Sequence, residues 1–283
     1  METYLTEQNP SIILATYDKL LVKDSLRLLK EKYTNTPIIL STIDFNSKQG
    51  PVKGCNFFYK ASMSSIAREL SKEDLIPMTQ KISELFINKN KLEDINNTYE
   101  DSGFTIYPKE GSSPILWKHL REQTKTYCPN INLDKPFVIE GLVDISKDDK
   151  FEYGLKVDFN KCGLTIVTQV PILSKGDGIF SSEDRELQKT GFPSKLGQGN
   201  RTLYTANNGV RRFYRSRSLD LGARNDDLAG SNDAGRVHFA KNFSGLTLEE
   251  IINNQSLLES IRNQALERAT QNYEVRKKII ESV

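Results

Sequence analysis

The 283-residue chain carries 39 Lys and Arg against 37 Asp and Glu, a formal charge of +2, and 37% of its residues are hydrophobic. Near-neutral balance excludes a wholesale polyanion binder but not a local one, and the length buries a substantial core in two domains or in one large domain with an appendage. The longest apolar runs, residues 12–15 and 37–40, are far short of the roughly 20 residues a membrane-spanning helix needs, so no membrane association is expected. Glu2 and Glu7 with no basic-then-apolar leader argue against secretion through a cleaved peptide, and a cytoplasmic protein or a virion or assembly component is expected. Three widely spaced cysteines, Cys55, Cys128 and Cys162, suggest neither a disulfide framework nor a zinc cage, and read as buried thiols.

In chain order, residues 11–16 read as a short strand. Asp18 is a cap, and Val22, Leu26, Leu29 and Tyr33 recur at helical spacing. Residues 37–43 supply another apolar run, for which a right-handed parallel crossover is the natural arrangement. Periodicity predicts helix over 62–87, with Ser71 as a cap and Pro77 as a kink or break, and a polar, Asn-rich loop over 88–102. Residues 115–123 add a short helix carrying Trp117 and His119. Phe151, Tyr153, Leu155, Val157 and Phe159 alternate with polar residues, the period of a half-buried strand, and 137–145 and 164–173 flank it in an antiparallel meander with a tight turn at 160–163.

Residues 176–200 are a Gly-, Ser- and charge-rich excursion. Strands at 202–206 and 210–214 are joined through Asn207, Asn208 and Gly209, residues that accept a hairpin's positive backbone angles. Leu219 and Leu221 alternate with Asp220 and Gly222, and 236–239 makes a last strand. Two capping boxes, Thr247 with Glu250 and Ser256 with Glu259, open a helical tail. The expected class is α+β: an α/β portion over 1–103, an antiparallel β domain with Arg-rich loops over 104–244, and an amphipathic helical tail over 245–283. The tail either docks on the same domain or mediates self-association through 247–282.

No motif names a reaction. The turn after the first strand, Thr16, Tyr17, Asp18, has no glycine, so the dinucleotide fingerprint is absent. The stretch Gly50, Pro51, Val52, Lys53, Gly54 lacks phosphate-loop spacing and reads as a plain turn. Only two histidines exist, His119 and His238, far apart and without paired ligands nearby. A metal-dependent hydrolase remains as a third reading, with Glu140, Asp144, Glu152 and Asp158 as the carboxylates available to it, although their spacing to Lys156 and Lys161 is wrong for a nuclease core. No cofactor, metal ligand set or catalytic residue is assigned.

The chain changes character between residues 200 and 241. Seven arginines (Arg201, Arg211, Arg212, Arg215, Arg217, Arg224, Arg236) and Lys241 face four acids there, interleaved with Tyr204, Phe213, Tyr214 and Phe239. Arginine beside aromatics on strands is what a single-stranded nucleic-acid platform uses, since guanidinium groups pair with phosphates while rings stack on bases. The opposing reading is a core-facing Phe213 with the arginines paired to Asp220, Asp226, Asp227 and Asp233.

Within this stretch, residues 219–237 keep Leu219, Leu221, Leu228 and Val237 at regular places with Asn, Asp, Ser and Arg between them. The run resembles the variable region of retroelement-diversified target proteins, whose C-type-lectin-like fold shows changeable side chains on a fixed backbone. That resemblance implies that Arg224, Asn225, Asp226, Asp227, Asn232 and Asp233 are displayed, although such regions end their chains and here some forty residues follow. The sequence therefore reads as a non-enzymatic recognition protein for a protein or polyanionic ligand. Its contact residues are Arg211, Arg212, Phe213, Tyr214, Arg215, Arg217, Arg224, Asn225, Asp226, Asn232 and Arg236, and nucleic-acid binding is the alternative.

Overall fold

The computed structural model describes residues 12–14, 19–34, 36, 56–71, 75–88, 97–230 and 235–242. In chain order these form β1 (Ile12–Leu14), α1 (Lys19–Lys32), α2 (Phe57–Ser71), β2 (Leu75–Pro77), α3 (Gln80–Asn88), β3 (Glu100–Ile106) and α4 (Pro114–Tyr127). There follow β4 (Phe137–Gly141), β5 (Val143–Lys147), β6 (Leu155–Phe159), β7 (Thr165–Gln169), β8 (Gly178–Phe180) and α5 (Arg185–Thr190). The last four are β9 (Arg201–Tyr204), β10 (Val210–Arg215), β11 (Leu221–Gly222) and β12 (Phe239–Asn242).

Helices combine with a large, mostly antiparallel sheet, which makes the chain an α+β protein. The sheet runs β7-β4-β3-β10-β11-β9-β8, and only the β9–β11 pairing within it is parallel. Every residue of β3 is buried, the mark of a central strand covered on both faces. On one face Phe104, Ile106, Phe137 and Ile139 pack against Phe57, Phe58 and Ala61 of α2, Leu116 and Leu120 of α4, and Val143, Leu155 and Val157 of the β5–β6 hairpin. On the other, Val138, Leu203, Phe213 and Leu221 pack against Leu187 of α5 and against Leu173, Phe180 and Phe192. Full burial of each such side chain contributes about 1.5–3 kcal/mol before chain entropy is counted.

The helices form where local signals place them. Asn56 Oδ1 accepts the Tyr59 N–H at 2.9 Å to cap α2. Pro114 opens α4, and the Glu152 carboxylate accepts the N–H groups of Ile115 and Leu116 at 2.6 and 3.2 Å. Pro77 does separate two helices, but within strand β2 rather than at a kink. β2, β12 and β1 form a second sheet in the order β1-β12-β2, joined antiparallel, so the early strand pairs with residues from the far end of the described chain. Asp18, residues 37–43, 50–54, Cys55, Asn232, Asp233 and the tail from 243 onward, with its two capping boxes, lie outside the described residues. No helix among the described residues is long and apolar enough to cross a membrane.

Several expected features differ in the structure: the meander over 137–173 is split, because residues 137–145 break into β4 and β5, β6 pairs with β5 in a separate two-stranded sheet, and β7 pairs with β4. The segments at 201–204 and 210–215 are not a hairpin pair, because β11 inserts between them and takes β9 parallel and β10 antiparallel. The expected long strand over 151–159 begins only at Leu155, since residues 151–154 close the tight turn with the Gly154 N–H on the Phe151 carbonyl at 2.8 Å. β3 spans residue 103, and one apolar core cluster holds residues from Leu29 to Phe239.

Candidate functional site

The arginine-rich segment divides by depth. Arg212 and Arg215, only 5% and 0% exposed, run into the interior with Arg201, and Phe213 sits in the apolar cluster with Leu203 and Leu221. The sequence expectation of an open guanidinium face is corrected at these positions. Arg212 donates to both Asp101 oxygens at 3.2 and 3.0 Å and bonds the Tyr99 hydroxyl. Arg215 lies 3.9 Å from Glu100 Oε2 and donates to the Thr98 carbonyl and hydroxyl at 3.3 and 3.2 Å. Arg201 makes a two-pronged pair with Glu84, 2.7 Å on each prong, and its Nε donates to the Leu219 carbonyl at 2.6 Å. Leu219 itself takes a left-handed backbone conformation, φ 66°, so this loop carries strain that the Arg201 contact helps hold.

The acids that neutralise these arginines come from the first half of the chain. Glu100 also takes the buried Lys60 ammonium at 2.7 Å and His238 Nδ1 at 2.8 Å, while Lys60 reaches the Met78 carbonyl at 2.8 Å. Burial by itself would raise Glu100, but Lys60, His238 and Arg215 outweigh it and hold the carboxyl down at about 2. Asp101 is raised, because burial outweighs the pull of Arg212 and Tyr99. Burial likewise lowers the Arg215 guanidinium against the attraction of Glu100 and Glu84. Such a network contributes little net stability when intact yet leaves a bare interior charge when one member is removed.

The outer part is different. Arg224 is 53% exposed and lies 4.2 Å over the Tyr204 ring, 3.5 Å from Asp177. Arg211 pairs with Asp226 at 3.0 Å and bonds Asn208, and Asp226 is itself 61% exposed. Arg217 is exposed in the turn after β10, and Arg236, half-buried, donates to the Gly235 carbonyl at 2.7 Å. Tyr214 is half-buried; its ring stacks near Tyr99 and lies so close over Gly222 that a Cβ there would stand 2.1 Å from Tyr214 Cζ.

The backbone beneath this outer part is fixed at almost every residue. Ala223 N–H donates to the Tyr204 carbonyl at 2.8 Å, and the Tyr107 hydroxyl donates to the Ala223 carbonyl at 3.0 Å. The Arg212 N–H holds the Asn225 carbonyl at 2.8 Å. The Tyr153 hydroxyl donates to the Asp226 carbonyl at 3.1 Å and accepts the Leu228 N–H at 3.3 Å. Asn56 Nδ2 reaches the Ala229 carbonyl at 2.9 Å, and Asn225 Oδ1 closes a local turn onto the Asp227 N–H at 3.0 Å. Buried Ala223 and Leu228 pin the two ends, leaving Arg224, Asp226 and Asp227 exposed on a held loop.

The remaining candidates are dispersed. His119 Nε2 meets Asp158 at 2.9 Å, and His238 is bound to Glu100. Asp144 accepts from Asn160 at 2.8 Å and stands opposite Asp158 across the β5–β6 pair, Glu152 caps α4, and Glu140 is buried on the large sheet. Among the described residues no group of three or more His, Cys, Asp or Glu could hold a metal ion. Cys162 is exposed and Cys128 half-buried, both as free thiols, which corrects the expectation of burial for Cys162. Sequence reasoning missed Lys60, Glu84, Glu100 and Asp101; the one visible signal was two adjacent acids directly before the apolar pattern of Phe104 and Ile106. Comparison of the chain with family models, with curated proteins and with solved structures gives no match, and nothing in them bears on the resemblance at 219–237.

Proposed function

We propose that the chain is a non-enzymatic recognition protein whose contact surface is the loop carrying Arg224, Asn225, Asp226 and Asp227, backed by Tyr204 and Arg211. The observation that carries this reading is the combination of a backbone tied down from Ala223 to Ala229 with side chains left outside it. A loop ordered before binding loses little conformational entropy when it docks, and that saving appears as affinity. The surface mixes both signs, with Arg211 against Asp226 and Arg224 against Asp177, around a cation stacked on a ring. Mixed charge around an Arg–aromatic anchor favours a protein partner over a uniform polyanion.

The test is cross-linked affinity capture with the wild-type chain, Arg224→Glu and Asp226→Lys. The expected result is a species captured by the wild type and lost with both variants, which keep the wild-type Tm. Capture that ignores both substitutions overturns the reading. Binding of single-stranded oligonucleotides that falls as a steep power of salt and depends on Arg224 moves the assignment to nucleic acid.

A further inference from the structure

The large sheet and the β5–β6 pair have four edges between them, and three of these are met by other parts of the chain. The Ile145 carbonyl of β5 accepts the Tyr33 hydroxyl at 3.1 Å. On β6, the Gln123 carboxamide of α4 donates to the Val157 carbonyl at 2.9 Å and accepts the Phe159 N–H at 2.7 Å. β8 is three residues long, and its Ile179 carbonyl accepts the Gly197 N–H at 2.8 Å. β7 is left bare. The bonds from the Leu142 N–H to the Leu164 carbonyl and from the Val170 N–H to the Pro136 carbonyl flank the β4–β7 ladder in its own register. The even-numbered residues of β7 therefore face β4, and Thr165, Val167 and Gln169 turn their N–H and C=O groups outward, where none has a partner among the described residues. A naked edge is a template for another strand, and native proteins blunt it with charge, proline or a bulge. β7 carries no charged residue, no proline and no register shift.

We infer that β7 pairs antiparallel with β7 of a second copy of this chain, about a two-fold axis at Val167, to make one sheet continuous across both copies. The contact is separate from the recognition loop. A two-fold contact sets a surface against itself, so a charge on the edge strand would be repelled by its own copy, and β7 has none. The outward groups are symmetric about Val167. Val167 exchanges both bonds with the partner's Val167, and Thr165 does so with the partner's Gln169, which satisfies every bare group. On the alternate positions Ile166 stands opposite the partner's Thr168, a β-branched pair that suits a sheet. The strand is ordered before it pairs. The Thr165 hydroxyl donates to the Leu142 carbonyl and accepts the Asn160 N–H, and the Gln169 carboxamide bonds Asn132, Lys135 and Pro136. Because β8 is blunted, association stops at two copies. Edge pairing covers little apolar surface, so the dimer is a weak one.

The test is sedimentation of the full chain from about 1 to 200 µM, with amide hydrogen exchange at both ends of that range. The expected result is a monomer–dimer equilibrium within it, the amides of Thr165, Val167 and Gln169 gaining protection as the dimer forms. Thr168 is half-buried, so a long side chain there reaches the edge. Thr168→Lys and Thr168→Glu each set like charges diagonally across the two-fold axis, and each is expected to weaken the dimer at least about 10-fold. An equimolar mixture of the two variants sets opposite charges there and is expected to recover to within about threefold of the wild type, a rescue that damage to the fold does not allow. A chain that stays monomeric throughout, a dimer that both single variants leave intact, a mixture no tighter than either variant alone, or a dimer in which those three amides exchange as in the monomer overturns the proposal. Should either variant fail to fold, the concentration dependence of the wild-type amides decides it alone.

Discussion

Arg212 and Arg224 stand twelve residues apart in one basic segment, yet the first is 5% exposed against Asp101 and the second sits over Tyr204 half in water. The difference teaches that arginine density in a sequence reports two opposite roles. Inside, the guanidinium fork joins strands that come together from distant parts of the chain, since Arg212, Arg215 and Arg201 meet acids more than a hundred positions away. Outside, it is a displayed group whose backbone others hold still. The buried role is about which strands meet, and the exposed role is about what the protein meets.

The sharpest way to break this contrast is to remove an inner charge. Arg212→Met should destabilise by about 3–5 kcal/mol, because Asp101 is left buried and unpaired, and Arg212→Met combined with Asp101→Leu should lose less than the single change. Urea unfolding measures both, and a single change costing under 1 kcal/mol would show the pair to be solvated after all.

Acid and base should act on the interior in opposite directions. Glu100 is held at about 2, below its ordinary 4.5, so its contribution of about 3 kcal/mol is full above pH 4.5 and lost as pH falls from there towards 2. Glu140 sits at about 7, so the folded state retains its proton longer than the unfolded chain and stability declines by about 3 kcal/mol as pH rises from 4.5 to 7. A Tm profile against pH is therefore expected to peak near the bottom of that interval. Glu140→Gln should flatten the neutral limb and leave the acid limb in place.

A smaller effect lies at the seam between inner and outer parts. Gly222→Ala forces the Tyr214 ring away and should cost about 1–3 kcal/mol in overpacking, read as a shift in denaturation midpoint. The smallest belongs to the surface: Arg224→Ala should change stability by less than about 1 kcal/mol, since its stacking and ion pair are half solvated. If it destabilised as much as Arg212→Met, inner and outer arginines would not differ in kind.

Much of the fold was legible. The helix around Trp117, the β5–β6 and β7 strands, the turn at 160–163 and the α+β class follow from periodicity and turn residues that act over a few positions. The central strand β3 was not legible. Its opening residues, Glu100 and Asp101, are charged, and a polar start after an Asn-rich stretch reads as loop until the lysine and arginines that neutralise them are brought alongside. The hairpin expected at 207–209 failed for a related reason: the turn residues are right for a reversal, and the Gly209 φ is 71°, but the partner that fills the space beside β10 is β11.

Local patterning by itself determined where the chain turns, which faces are apolar and that cationic charge concentrates between residues 200 and 241. Only the tertiary structure decided which of those cations lie inside, because burial of a guanidinium depends on an acid arriving from elsewhere in the chain. Neither Asp101 nor Glu84 can be assigned to an arginine from spacing, since ion pairing acts through space between strands whose neighbours are fixed only when the whole sheet closes.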